Sequence, residues 1–171
     1  MRAALGAGDL VVLAVPHFAA GELLPGLNAP RESRAILNVH YQLPQAIDAP
    51  QMIGLIHSDA QWVFVRGAMV SVTVSAADAW MDRDADEIAI SLWPDVAKAL
   101  GIAVEVPPYR VIKERRATFA QTPDALDLRP KTHTVYINLF LAGDWTATGL
   151  PATIEGAIKS GRVAAQAALK V

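Results

Sequence analysis

The chain alternates between short apolar runs and longer periodic stretches. Leu10-Val-Val-Leu-Ala-Val15 is continuous, β-branched and closed by Pro16, which predicts a strand buried on both faces. Phe18 to Leu24 predicts a short helix ended by Pro25-Gly26. From Arg34 to Tyr41 the chain alternates, with Leu37, Val39 and Tyr41 on one face and Ile36, Asn38 and His40 on a wetter one. Strands are expected at Met52–Ile56, Gln61–Arg66 and Met69–Ser75, with Ser58-Asp59 and Gly67 as turn chemistry between them, so an antiparallel meander follows. Ile88, Leu92, Val96 and Leu100 recur every four residues and predict a helix within 76–100, kinked or split at Pro94 and stopped by Gly101. Tyr109 to Thr118 is a charged strand, and Gln121 to Thr134 is a polar loop.

The ending is the most informative part. Tyr136 to Ala142 predicts a strand, Gly143 to Leu150 a turn, and Pro151 the first position of a helix running to about Leu169. Its expected packing face is Ile154, Ala157, Ile158, Gly161, Ala165 and Ala168, mostly small residues that imply close approach. A strand, an acid-bearing glycine turn and a helix mouth recur as a site for an electron-rich group. The segment Pro151, Ala152, Thr153 and Ile154 brings the positive dipole end of the helix and the free N–H groups that follow the proline, which favour an anion or an acceptor gaining electrons. Gly143 allows close backbone approach, and Asp144 can grip hydroxyls; the competing reading is a tight turn in which Asp144 caps a local N–H.

Composition narrows the field. In 171 residues, 17 acids face 15 bases, with no basic stripe, so nucleic acid is not an expected partner. Cysteine is absent, which excludes disulfides, thiol catalysis and a thioether-linked cofactor. His17, His40, His57 and His133 lack metal-ligand spacing, so no metal is expected. No Gly-x-Ser-x-Gly elbow is present. Hydrophobic residues reach 53%, which is greasy for a small domain and predicts apolar surface facing something other than water. No apolar run nears the roughly 20 residues of a membrane span, and Gly6 and Gly8 interrupt the start as no signal peptide would, so a cytoplasmic setting is expected, with peripheral membrane contact as its variant.

The segment Asn138 to Gly161, which reads NLFLAGDWTATGLPATIEGAIKSG, resembles the C-terminal flavin motif of the FAD-dependent amine oxidase and phytoene desaturase superfamily. Trp145 and Leu150-Pro-Ala-Thr-Ile-Glu-Gly156 are most similar to its squalene-associated branch, the hydroxysqualene dehydroxylases. Asp9–Pro16, Gln61–Phe64 and Glu114–Pro123 also resemble that branch. The resemblance implies an α/β fold with α+β character: pieces of a Rossmann-like FAD domain at 1–18 and 116–171, and a sheet-and-helix substrate domain at 19–115. It implies non-covalent FAD, with Asp144 on a ribityl hydroxyl, Gly143 permitting approach, the Thr153-Ile154 backbone facing the pyrimidine edge, and Trp145 beside the cofactor or the substrate channel.

The superfamily's opening Gly-x-Gly-x-x-Gly fingerprint is missing; Gly6-Ala7-Gly8 precedes its strand and lacks the third glycine. The chain therefore reads as the C-terminal portion of a longer flavoenzyme acting on an apolar isoprenoid, inactive alone, weak or lacking in FAD binding, and prone to self-association. Carotenoid-type desaturase and flavin amine oxidase are the neighbouring alternatives. A non-catalytic module for an apolar ligand or partner is the alternative from another class.

Overall fold

Strand and helix alternate unevenly along the computed structural model, which describes residues 6, 8–103 and 105–171. In chain order the elements are β1 (Val11–Leu13), α1 (His17–Leu23), β2 (Ser33–Gln42), β3 (Met52–Gly54), β4 (Trp62–Arg66) and β5 (Met69–Ser75). A 3-10 turn at Asp78–Trp80 follows, then α2 (Ala85–Leu100), β6 (Tyr109–Phe119), α3 (Pro123–Asp127), β7 (Leu139–Leu141) and α4 (Ile154–Ala168). They cluster into two units, residues 1–33 with 118–171, and residues 34–117. The segment 19–33 clusters with the chain ends, whereas the sequence placed the first boundary near residue 18.

The middle unit is built on the meander that the alternation predicts. Its sheet has the order β3-β4-β5-β2-β6, with β3–β4, β4–β5 and β5–β2 antiparallel. Val39 faces Val72 and Tyr41 faces Val70 across β2 and β5, so β-branched side chains stack on one face. Gly67, at φ 62°, supplies the left-handed residue for the two-residue turn into β5. The apolar face is covered by α2 through Ile88, Ala89, Leu92, Trp93 and Val96. Asp84 caps that helix, accepting from the Asp86 and Glu87 amides, and Gly101 ends it at φ 65°. Pro94 does not split it. The helix is continuous over 16 residues, because flanking Leu92, Trp93 and Val96 are held in the core. The Tyr41 hydroxyl donates to the Ala89 carbonyl at 2.8 Å. Burial, followed by nearby Tyr109, holds the Tyr41 phenol above its ordinary range, so it remains a neutral donor.

The terminal unit is thinner. β1 and β7 form a two-stranded parallel sheet, pairing Val11 with Leu139 and Leu13 with Leu141. Leu139, Phe140 and Leu141 are buried, yet Leu10 and Val12 are largely exposed, against the expectation of a strand buried on both faces. β1 has one strand neighbour among the described residues, so the sheet is not extended beyond it there. The expected strand from Tyr136 contracts to Leu139–Leu141, leaving Val135, Tyr136 and Ile137 exposed. The expected loop at Gln121–Thr134 contains α3, capped by Thr122 with Pro123 at its first turn.

The helix α4 turns a different face inward than predicted. Gly156, Ser160, Ala164 and Ala167 are buried, whereas Ile154 and Ile158 are 82% and 54% exposed. Ser160 decides the rotation, since its Oγ accepts the Gly143 N–H at 2.7 Å and donates to the Ala157 carbonyl. No helix among the described residues is long and apolar enough to cross a membrane.

Candidate functional site

β7 delivers the chain into the bend at Gly143. Ala142 still donates to the Leu13 carbonyl of β1 at 3.0 Å, and Gly143 then turns at φ 147°, a conformation that favours glycine. A Cβ built on Gly143 would lie 2.2 Å from Nε1 of Trp145. The glycine is therefore required by packing inside the protein as well as by any ligand. Trp145 is fully buried among Ala20, Ala29, Phe119 and Leu141, and its indole N–H donates to the Val15 carbonyl at 2.8 Å. In the terminal unit this residue is core and ties the bend to the end of β1; it lines no open surface there.

Asp144 is half-buried, and its carboxylate has no protein hydrogen-bond partner among the described residues. The competing reading of a capping aspartate is thus not what the geometry provides. Its main-chain carbonyl accepts from Arg129 Nη2 at 2.9 Å. The same guanidinium donates to the Leu150 carbonyl at 2.8 Å and to Thr148 Oγ1 at 3.0 Å, and it lies over the Phe119 ring. Arg129 therefore clamps both ends of the turn from Asp144 to Leu150. Its Nε is buried without an acceptor among the described residues, and desolvation lowers its pKa from the ordinary arginine value, opposed by the Asp144 charge.

The mouth of α4 opens just beyond. Thr153 is its cap, accepting the Gly156 amide on Oγ1 at 3.1 Å and the Ala157 amide on its carbonyl. Pro151 stands two residues outside the cap, not at the first helical position as predicted. The Ala152 amide donates to Gln121 Oε1 at 3.0 Å. Gly156 is needed where α4 passes Pro151, whose carbonyl would lie 2.8 Å from a Cβ. The Ile154 and Glu155 amides have no protein acceptor among the described residues, and both side chains are exposed. The mouth is open. With Glu155 in the first turn, it suits a polarised carbonyl better than a highly charged anion.

The profile of the family described as "Flavin containing amine oxidoreductase" matches residues 3–169. The chain belongs to the flavin-containing amine oxidoreductases. It is 46% identical over 98% of its length to the hydroxysqualene dehydroxylase of Sinorhizobium fredii, and 46% identical over 96% to that of Rhodopseudomonas palustris. It spans about 40% of the length of each of these curated relatives. A crystal structure from Exiguobacterium sp. 255-15, named as a protoporphyrinogen oxidase, has the same fold at a TM-score of 0.64 and 15% identity, over 95% of this chain and 41% of that one.

Membership of this family implies a flavin, and the residues present fit one. Two unengaged amides offer donors to a ring carbonyl, and an unpartnered carboxylate offers acceptors to hydroxyls. Gly143, Asp144 and Trp145 share the bend, and Pro151, Ala152, Thr153 and Ile154 share the approach to α4. Sequence reasoning missed Arg129, Gln121 and Ser160, which fasten these two segments in place. Arg129 and Gln121 lie in a polar stretch without periodicity, and Ser160 is polar in a stripe of small residues. A cavity of about 950 Å³ elsewhere in this unit, lined by Leu24, Leu27, Leu128, Arg129, Tyr136 and Leu139 among others, includes neither Asp144 nor the mouth.

Proposed function

We propose that this chain forms the C-terminal part of an FAD-dependent oxidoreductase that acts on squalene-type isoprenoids, with hydroxysqualene as substrate. What supports the reading is the open mouth of α4 and the unpartnered Asp144 carboxylate, joined by the turn that Arg129 fastens, in a chain so similar to hydroxysqualene dehydroxylases. Asp144 would accept from a ribityl hydroxyl, and the backbone at Thr153 and Ile154 would face the pyrimidine edge of the ring, with the unengaged Ile154 amide as a donor. Trp145 and Gly143 would act from below, by holding the bend that presents Asp144. Bound there non-covalently and in its reduced form, the flavin would supply the hydride. The reaction replaces a C–O bond with C–H, and the hydroxyl leaves as water with a proton. Within this chain, Arg129 and Ser160 keep the carboxylate and the amides in register.

The portion of the relatives that this chain does not span would supply the pyrophosphate-binding fingerprint and cover Leu10, Val12, Ile154 and Ile158. The 171 residues alone would then bind FAD weakly, turn nothing over and self-associate through that surface. The setting is cytoplasmic, with peripheral membrane contact suited to an apolar substrate.

The test is a full-length protein carrying this chain, purified and supplied with hydroxysqualene, phytoene and an amine in parallel. Flavin absorbance and conversion of hydroxysqualene alone are expected; conversion of phytoene or the amine would transfer the reading to a desaturase or an amine oxidase. A colourless protein that FAD does not stabilise would sink it. Asp144→Asn should weaken FAD roughly tenfold or more at unchanged thermal stability, the scale of one charge-assisted hydrogen bond.

A further inference from the structure

The five-stranded sheet has two unlike faces. One packs on α2. The other presents rows across the paired strands: Trp62–Thr73–Asn38, then Phe64–Ser71–His40, then Arg66–Met69–Gln42 at the sheet's end. The first two rows largely satisfy themselves. Thr73 Oγ1 donates to Asn38 Oδ1 at 2.7 Å, and His40 Nδ1 lies 2.7 Å from Ser71 Oγ. Nε2 of His40 has no hydrogen-bond partner among the described residues, and His40 lines the concavity described next.

At the third row the balance fails. A cavity of about 520 Å³ is lined by His40, Gln42, Arg66, Ser71, Tyr109 and Arg110 among others, and no aspartate or glutamate among the described residues lines it. Arg83 and Arg115 of the same unit each pair with an acid, Glu87 and Asp82, at 2.7 and 2.8 Å. Arg66 and Arg110 have no such partner among the described residues, although the chain carries more acids than bases. The Tyr109 hydroxyl is engaged elsewhere, donating to Asp86 at 2.6 Å. Two guanidinium groups and one imidazole nitrogen thus border one concavity that supplies no counter-charge.

We propose that this concavity binds a phosphate-class oxyanion, held by Arg66 and Arg110 with His40 Nε2 as a third contact. A tetrahedral group with several oxygens offers an acceptor to each of these side chains, whereas a carboxylate offers only two oxygens. The apolar row of Trp62 and Phe64 continues on the same face, with Met69 beside the arginines, so the phosphate can belong to an anionic lipid headgroup or to a free phosphate compound. The proposal concerns the middle unit alone and does not depend on the flavin reading.

The test is direct on the 171-residue chain. Inorganic pyrophosphate is titrated by calorimetry while the His40 ring is followed by NMR, and vesicles of phosphatidylglycerol are compared with vesicles of phosphatidylcholine by co-sedimentation. Saturable binding that shifts the His40 resonances is expected, and Arg66→Ala with Arg110→Ala should weaken it roughly tenfold or more. An Arg162→Ala control should bind as the parent does. Binding to phosphatidylglycerol vesicles that pyrophosphate displaces assigns the headgroup source, and pyrophosphate binding without vesicle binding assigns the free compound. Absence of binding to both probes, or equal binding by the double variant with its fold intact by circular dichroism, overturns the proposal.

Discussion

The two units solve the problem of burial differently. Residues 34–117 close a continuous core between a five-stranded sheet and α2, with Leu37, Val39, Val63, Val72, Ile88 and Val96 fully buried. The terminal unit divides its core into two small clusters, one around Trp145 and one around Phe140, and exposes Leu10, Val12, Ile154 and Ile158. An antiparallel meander capped by a helix can stand on its own contacts. A two-stranded parallel sheet is short of neighbours, because parallel strands are normally covered on both faces. The unit that carries the candidate flavin residues is therefore the one less able to hold itself together.

That contrast can be broken experimentally, and the largest effect should come from Trp145→Ala. It removes the central side chain of the thinner core and should cost about 4 kcal/mol, enough to unfold the terminal unit alone. Urea titration followed by NMR should show those resonances collapsing while the middle unit persists. A single shared transition would mean the units are not independent. Leu92→Ala, buried between α2 and the sheet, should cost about 3 kcal/mol and shift only the transition of residues 34–117.

Arg129→Met sharpens the comparison within the terminal unit. It strips donors from the Asp144 and Leu150 carbonyls and from Thr148, while relieving the burial of an under-paired charge. A net loss of roughly 2 kcal/mol is expected, with faster amide exchange at Ala147 and Leu150. Arg129→Lys should not restore the parent value, since one ammonium cannot reproduce the fork.

The smallest effect belongs to Asp82 in the middle unit. The Arg115 hydrogen bond, and then its charge, hold the Asp82 carboxyl below the ordinary aspartate value. A depressed folded-state pKa contributes stability above the unfolded value and loses it as pH falls through the folded one. Asp82→Asn should therefore lower the urea midpoint slightly near neutral pH and converge with the parent in acid. Because the pair is exposed, added salt should narrow the gap.

Legibility in the sequence followed the same division. The meander was readable because one face of β2 to β5 is covered and the other is not, which writes a period of two into the chain. The turn chemistry at Gly67 and the stop at Gly101 were readable for the same local reasons. β1 was misread because an apolar run reports what its side chains require, not whether neighbours are present. The face of α4 was misread because hydropathy places Ile154 and Ile158 inward, whereas close approach selects Gly156 and Ser160. The bend and the helix mouth were visible as a motif, but their fastenings were not. Arg129 acts through main-chain carbonyls, and no spacing rule announces such a partner.

Ser160 has a consequence that outlasts its modest chemistry. One hydroxyl receives the amide of the bend and returns its proton to the helix, so the acid-bearing turn and the opening of α4 share a common anchor. Removing that hydroxyl would be felt at both places at once, since the bend would lose an acceptor and the helix a donor.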